Sequence, residues 1–174
     1  LFDDIIQPER AANEHHQLTN VLSHFTGSEK TIQFTDLLHE ILGDEIVRKL
    51  IIDECCTLEN ESYGHQFDSN QKVELNEKSV DNLIHTLLSG SDTNNAEQNY
   101  FKYPIPNLIF TRDIAAVIGN TILLTWGRRR VRKRENILIK YVVAYHPIFA
   151  DVDVYDFHKN HPHLSVEGGD IIVF

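Results

Sequence analysis

Pro104-Ile105-Pro106-Asn107-Leu108-Ile109-Phe110-Thr111-Arg112-Asp113 sets an apolar run between a proline-stiffened entry and an abrupt polar exit. The two prolines fix φ at their own positions and bias Tyr103 and Ile105 toward extended backbone. Leu108, Ile109 and Phe110 then predict a short buried strand. Its Thr-Arg-Asp exit is where a buried strand would deliver side chains to a pocket mouth. The plainer reading is an Arg/Asp turn that caps a strand, and this stretch alone leaves both open.

Downstream, residues 115–118 and 121–125 are apolar runs separated by Gly119-Asn120, a pair suited to a tight hairpin with φ > 0 in its turn. A basic run occupies 128–134. Beyond it, Ile137, Leu138, Tyr141, Val142 and Tyr145 share one helical face that ends before Pro147. Residues 151–157 read as another strand and 158–165 as a loop, which completes a ββαβ order. Glu167-Gly168-Gly169-Asp170 then leads into the apolar 171–174, read as a further strand. Paired glycines permit φ > 0 or a close backbone approach.

Upstream, residues 1–6 lead to Pro8, a good first helical residue. Ala11, His15, Leu18, Leu22 and Phe25 recur at helical spacing as far as Gly27, a natural stop. Residues 30–35 alternate, with Ile32 and Phe34 on one side, and predict a strand. Residues 36–60 follow helical periods broken into two helices at Gly43, and 61–77 are polar with little periodicity. Ser79 can cap a helix whose apolar face is Val80, Leu83, Leu87 and Leu88. Residues 89–98 read as a polar loop. The expected organisation is a helical insertion at 36–98 between two parts, 1–35 and 99–174, of one mixed domain.

The chain has 174 residues, 41% hydrophobic and 24% charged, the profile of an ordinary globular protein. No apolar run approaches the roughly 18 residues that span a bilayer, and no signal peptide opens the sequence, so no membrane partner is expected. A net charge of −10 argues against a general polyanion binder. Cys55 and Cys56 are adjacent and form no disulfide framework, which favours a reducing, cytoplasmic setting. The absence of methionine and the stop at Phe174, inside an apolar run, predict a fragment of a longer protein.

The segment ending Phe-Thr-Arg-Asp113, followed downstream by Glu167-Gly-Gly-Asp170, resembles the arginine deiminases within the guanidino-modifying superfamily. The resemblance runs from Leu1 to the last residue. It implies an α+β fold, a propeller-like pentein of ββαβ modules, here partial and carrying a helical insertion at the place where arginine deiminases have one. It also implies hydrolysis of L-arginine to L-citrulline and ammonia through a covalent cysteine intermediate, with no cofactor and no metal. The nucleophilic cysteine and catalytic histidine are expected beyond Phe174, so this chain alone is expected to be inactive. A homo-oligomer is left open. The isolated chain is expected to be oligomeric, aggregated or only locally folded, since a partial propeller leaves apolar faces uncovered.

Only paired carboxylates match the planar, donor-rich guanidinium with hydrogen bonds on every side. By resemblance Asp113 and Glu167 are the catalytic carboxylates that hold it; the plainer reading is that both cap turns. Asn107 resembles a position that helps hold the substrate α-carboxylate. Phe110 resembles the ring that lies against the guanidinium, a use of cation–π attraction, with plain core as its alternative. Leu1 matches a pocket-lining leucine. In the basic run, Arg132, three residues before Glu135, matches the arginine that pairs with the substrate carboxylate, although the crowded basics leave Arg130 and Arg134 as alternative registers. The remainder of that run reads as a solvated helix start. No aromatic interleaving supports a nucleic-acid partner. His158, His161 and His163 read as exposed loop histidines rather than metal ligands, and Cys55 and Cys56 as packing residues. The alternatives in function are an amidinotransferase or other guanidino-modifying deiminase, and a non-catalytic interaction module whose contact surface is the basic run.

Overall fold

The computed structural model describes residues 7–95 and 97–173. The expected segment 1–6, Leu1 included, and Phe174 lie outside the described residues. The chain divides into two compact units at Leu37/Leu38.

In the first unit helix α1, Pro8–Thr26, starts with proline in its first turn and stops at Gly27. Gly27 takes φ 94°, a left-side conformation that a Cβ would strain. The strand expected over 30–35 is not there. Ser28–Lys30 is a single 3₁₀ turn, and Phe34 already opens helix α2, Phe34–Leu42. The alternation of Ile32 and Phe34 gives way because the amides of Asp36 and Leu37 both bond the Gln33 carbonyl, which starts the helix.

The second unit is built on helices α3 (Glu45–Tyr63), α4 (Ser69–Glu77) and α5 (Val80–Ser89), then a small sheet with its own helix. Asp44 caps α3 by accepting from the amides of Ile46 and Val47, and Gly64 ends it in the left-handed region. Ser79 accepts from the Asn82 amide at 3.3 Å and caps α5 as the sequence predicts. Helix α4 was missed by periodicity, but Asp68 and Gln71 exchange the two bonds of a capping box at its start.

The hairpin forms as expected. Strands β1 (Ala115–Ile118) and β2 (Thr121–Leu124) pair antiparallel across Gly119-Asn120, with Gly119 at φ 61°. After helix α7 (Lys133–Tyr145), strand β3 (Asp153–Asp156) returns parallel to β2, pairing Ile122 with Val154. The order is therefore β1-β2-α7-β3, an α+β arrangement in which the parallel pair is joined by a helical crossover. A short helix α8, Phe157–Asn160, follows directly on β3.

Helix α7 is buried far beyond one face. Ile137, Leu138, Ile139, Tyr141, Val142 and Val143 are all core residues, because α7 packs against α3 as well as against β2. Tyr145, expected on the buried face, is exposed, since it lies at the helix end where the packing stops. Leu38, Leu42, Ile51, Ile52, Cys55, Leu83 and Leu87 complete the core without solvent contact. Truncating one such side chain to alanine typically costs about 2–5 kcal/mol.

One buried charge joins these layers. Arg134 of α7 donates from Nε to the Leu87 carbonyl at 2.9 Å and from Nη2 to the Tyr103 carbonyl at 2.6 Å. Its guanidinium lies 4.3 Å from the Phe101 ring centre and 3.8 Å from Glu59 of α3. The amide of Ile105 adds a 2.8 Å bond to the Leu88 carbonyl. The proline segment thus leaves the helical layer in a fixed direction, toward the residues that follow it.

Candidate functional site

Past Pro106 the chain turns instead of forming the expected strand at Leu108–Phe110. The Phe110 amide bonds the Asn107 carbonyl at 3.0 Å, and Phe110 is 50% exposed. No neighbouring strand offers a ladder to Leu108–Phe110 among the described residues, so the turn satisfies the backbone locally. The next amide in the chain of bonds, that of Asp113, reaches the Phe110 carbonyl at 2.9 Å and opens the one-turn helix α6, Thr111–Ile114. Thr125 at the end of β2 donates from Oγ1 to the Asp113 carbonyl at 2.5 Å. Asp113 is thereby fixed to the hairpin, and its carboxylate is left a quarter exposed.

Glu167 reaches the same place by another route. Trp126 and Val166 exchange two backbone bonds of 3.1 and 3.0 Å, an isolated bridge that returns the chain to the hairpin's end. The adjoining glycines take no positive φ among the described residues. Gly168 is needed for proximity: a Cβ there would lie 2.7 Å from the Arg112 carbonyl carbon and closer still to its oxygen. Gly169 faces open space. Arg112 closes the seam by donating from Nη2 to the Ile171 carbonyl at 2.5 Å. Residues 171–173 are irregular rather than a strand, with Ile172 exposed and no pairing partner among the described residues.

Between the two carboxylates sits Arg132. Its Nη1 is 3.1 Å from Asp113 Oδ2 and 3.4 Å from Glu167 Oε2. Its other edge, Nε and Nη2, donates to Glu135 Oε2 at 3.1 Å each. Arg132 is buried and Glu135 has no solvent exposure, whereas Glu167 is about one-third exposed. The second oxygen of Glu135 accepts the Asn107 amide at 3.1 Å. Burial opposes the charge on Arg132, but Glu135, Asp113 and Glu167 outweigh it and hold its pKa above the ordinary arginine value. Burial likewise raises the Glu135 carboxyl, with Arg132 and the Asn107 amide pulling the other way.

Four of the residues singled out in the sequence therefore converge: Asn107, Asp113, Arg132 and Glu167. Arg132, not Arg130 or Arg134, is the basic residue at the carboxylates. Arg130 is exposed and donates to the Ser62 carbonyl, while Arg134 serves the core. Phe110 lies on the exposed turn beside Asp113, not in a core. The sequence motifs assign Glu135 no role, although its position three residues after Arg132 on a helix start is a usable signal.

The other candidates lie apart. His158 is on α8 rather than in an exposed loop, stacked on Trp126 with ring centres 3.9 Å apart, and burial near Lys133 lowers its pKa. A cavity of about 650 Å³ adjoins that stack, lined by Glu54, Lys133, Lys140 and His158 among others, and none of Asp113, Arg132 and Glu167 lines it. Cys55 and Cys56 lie in the core on α3, where burial pushes both thiols up to about 12. Among the described residues no cluster of three metal-ligating side chains occurs, and no helix is long and apolar enough to cross a membrane.

Two partly exposed carboxylates that share one guanidinium nitrogen, as Asp113 and Glu167 share Arg132 Nη1, form a place that suits a planar cation. A family model described as arginine deiminase matches residues 1–174. The chain is similar to an arginine deiminase of Staphylococcus aureus, 31% identical over 99% of this chain and 44% of the relative. It is also similar to an arginine deiminase of Borrelia garinii, 29% identical over 99% of this chain and 45% of the relative. The chain thus spans less than half the length of these relatives.

Proposed function

This chain belongs to the arginine deiminase family, and from that premise we propose that it supplies the guanidinium-binding part of an enzyme that hydrolyses L-arginine to L-citrulline and ammonia. The observation that carries this reading is that Arg132 Nη1 lies 3.1 Å from Asp113 and 3.4 Å from Glu167, so that two carboxylates from separate segments hold one guanidinium nitrogen. In this reading Asp113 and Glu167 hold the substrate guanidinium, with Phe110 against its face. Arg132 and Asn107 receive the α-carboxylate, and Leu1 lines the pocket. A substrate guanidinium entering between the carboxylates takes over the donors that Arg132 Nη1 now provides, and releases that edge of Arg132 for an anion.

The chemistry is completed by residues that the longer protein contributes. A cysteine thiolate adds to the guanidinium carbon, which Asp113 and Glu167 keep positively polarised. A C–S bond forms, the C–N bond breaks, and the nitrogen leaves as ammonia after taking a proton from a histidine. The histidine then acts as base, water replaces sulfur at that carbon, and citrulline departs as the thiolate is restored. Residues 1–35 and 99–174 would form part of a propeller-like pentein domain, and 36–98 its helical insertion, in a cytoplasmic enzyme.

Purified full-length protein given L-arginine should release citrulline and ammonia in equal amounts, and the 174-residue chain alone should release neither. Citrulline made by the chain alone, and lost on Cys55→Ala or Cys56→Ala, would contradict the placement of the nucleophile.

A further inference from the structure

Glu135 is the least exposed member of the cluster, and both of its oxygens accept from buried or part-buried donors. Oε2 accepts two donors from one edge of Arg132, and Oε1 accepts the Asn107 amide. One carboxylate thus ties the start of α7 to a loop that precedes it by 28 residues. Burying an ionised carboxylate costs several kcal/mol before compensation, and a hydrocarbon of the same size would pack there without that cost. Beyond Asn136, which itself accepts the Gly127 amide, Ile137, Leu138 and Ile139 show that this helix uses hydrocarbon where packing is the only need.

The side-on pairing fixes the plane of the guanidinium. With Nε and Nη2 committed to Glu135, only the Nη1 end of Arg132 faces Asp113 and Glu167. The same carboxylate fixes the backbone at Asn107, so the two residues read as contacts for the α-carboxylate share one anchor. Glu135 itself, with 0% exposure, cannot reach a substrate without unfolding the start of α7.

We propose that Glu135 is a positioning residue for recognition of the α-carboxylate: by holding Arg132 and the Asn107 loop in one frame, it sets the preference for guanidino compounds that carry that group. The inference rests on the arginine-binding reading given above. It assigns to Glu135 an effect on substrate choice exerted through Arg132, without contact to substrate.

The test uses full-length protein with Glu135→Gln, alone and combined with Arg132→Ala, assayed on L-arginine and on agmatine, which lacks the carboxylate. An amide in place of the carboxylate turns one acceptor into a donor that faces N–H groups. The expected result is a rise in KM for L-arginine of about 10–100-fold, the size of one lost charge-assisted hydrogen bond, with kcat falling less. The preference for arginine over agmatine should drop by about tenfold or more, and in the Arg132→Ala background the same change should add less than about threefold. Equal losses on both substrates, undiminished without Arg132, would overturn the proposal and leave Glu135 as a stability residue only. Glu135→Asp keeps the charge but withdraws the oxygens, and answers the same question if the glutamine variant does not fold. Failure of the parent protein to convert any guanidino compound would instead overturn the reading of the site itself.

Discussion

Gly168 lies so close to the backbone of Arg112 that a Cβ on it would stand 2.7 Å from the Arg112 carbonyl carbon. This approach, together with the Trp126–Val166 bridge, sets Glu167 against Arg132, which Asp113 also binds. The adjacent Gly169 has nothing within 4 Å of its would-be Cβ. Gly168→Ala should therefore force the seam apart and cost about 1–3 kcal/mol in stability, as overpacking does, together with most of the activity of the full-length protein. Gly169→Ala should be tolerated in both. Thermal melting and citrulline formation on the pair check this, and equal behaviour of the two variants would remove close approach as the reason for glycine here.

Arg134 is the second buried arginine of the basic run, and its work is structural. Removing one partner of a buried, hydrogen-bonded charge leaves the others unsatisfied, so Arg134→Ala should destabilise by about 3–5 kcal/mol. Lysine has no planar fork to reach Leu87, Tyr103 and Glu59 together, so Arg134→Lys should restore little of that loss. Denaturant melts of both variants measure it. Full rescue by lysine would mean that charge alone is what the site requires.

Acid sensitivity should trace in part to Asp92. Its carboxylate accepts from Lys78 Nζ at 2.5 Å, both side chains are about 10% exposed, and the Lys78 bond together with the Asn94 amide lowers its pKa below the ordinary aspartate value. The folded state thus prefers the ionised form. The stability from this group is fully present above the unfolded value and is lost as the pH falls through the lowered folded value. Asp92→Asn should lower the melting temperature at pH 7 by about 3–12 °C, the loss of one charge-assisted hydrogen bond, and the difference from the parent should shrink toward pH 2. A difference independent of pH would show that the ionised pair is not its source.

How much of this was legible in the sequence varies by element, and the reasons are physical. The Gly119-Asn120 hairpin, the helix break at Gly43 and the helix capped at Ser79 follow from local chemistry and form; α7 forms too, but with Tyr145 exposed and burial beyond the expected face. Asp113, Arg132 and Glu167 were found by motif, and their convergence depends on the Trp126–Val166 bridge, which no local pattern announces. Leu108–Phe110 and residues 171–173 are apolar runs that imitate strands. An apolar run becomes a strand only where a partner edge is present, and among the described residues neither has one. Helix α4 lacked an apolar period, yet its Asp68…Gln71 capping box was in plain sequence view. The burial of Glu135 is not legible in the sequence, where a buried acid looks like any first-turn glutamate.

The central claim is that Arg132 serves the substrate carboxylate while Asp113 and Glu167 serve its guanidinium. The most direct measurement is kcat/KM of Arg132→Ala full-length protein on L-arginine and on agmatine. Losing one desolvated, charge-assisted contact should cost about 2–4 kcal/mol on L-arginine, roughly 30–1000-fold. Agmatine should lose far less, since it has no carboxylate and its own guanidinium replaces the cation that Arg132 places between the two acids. Equal losses on the two substrates would contradict the account and return Arg132 to a purely structural ion pair.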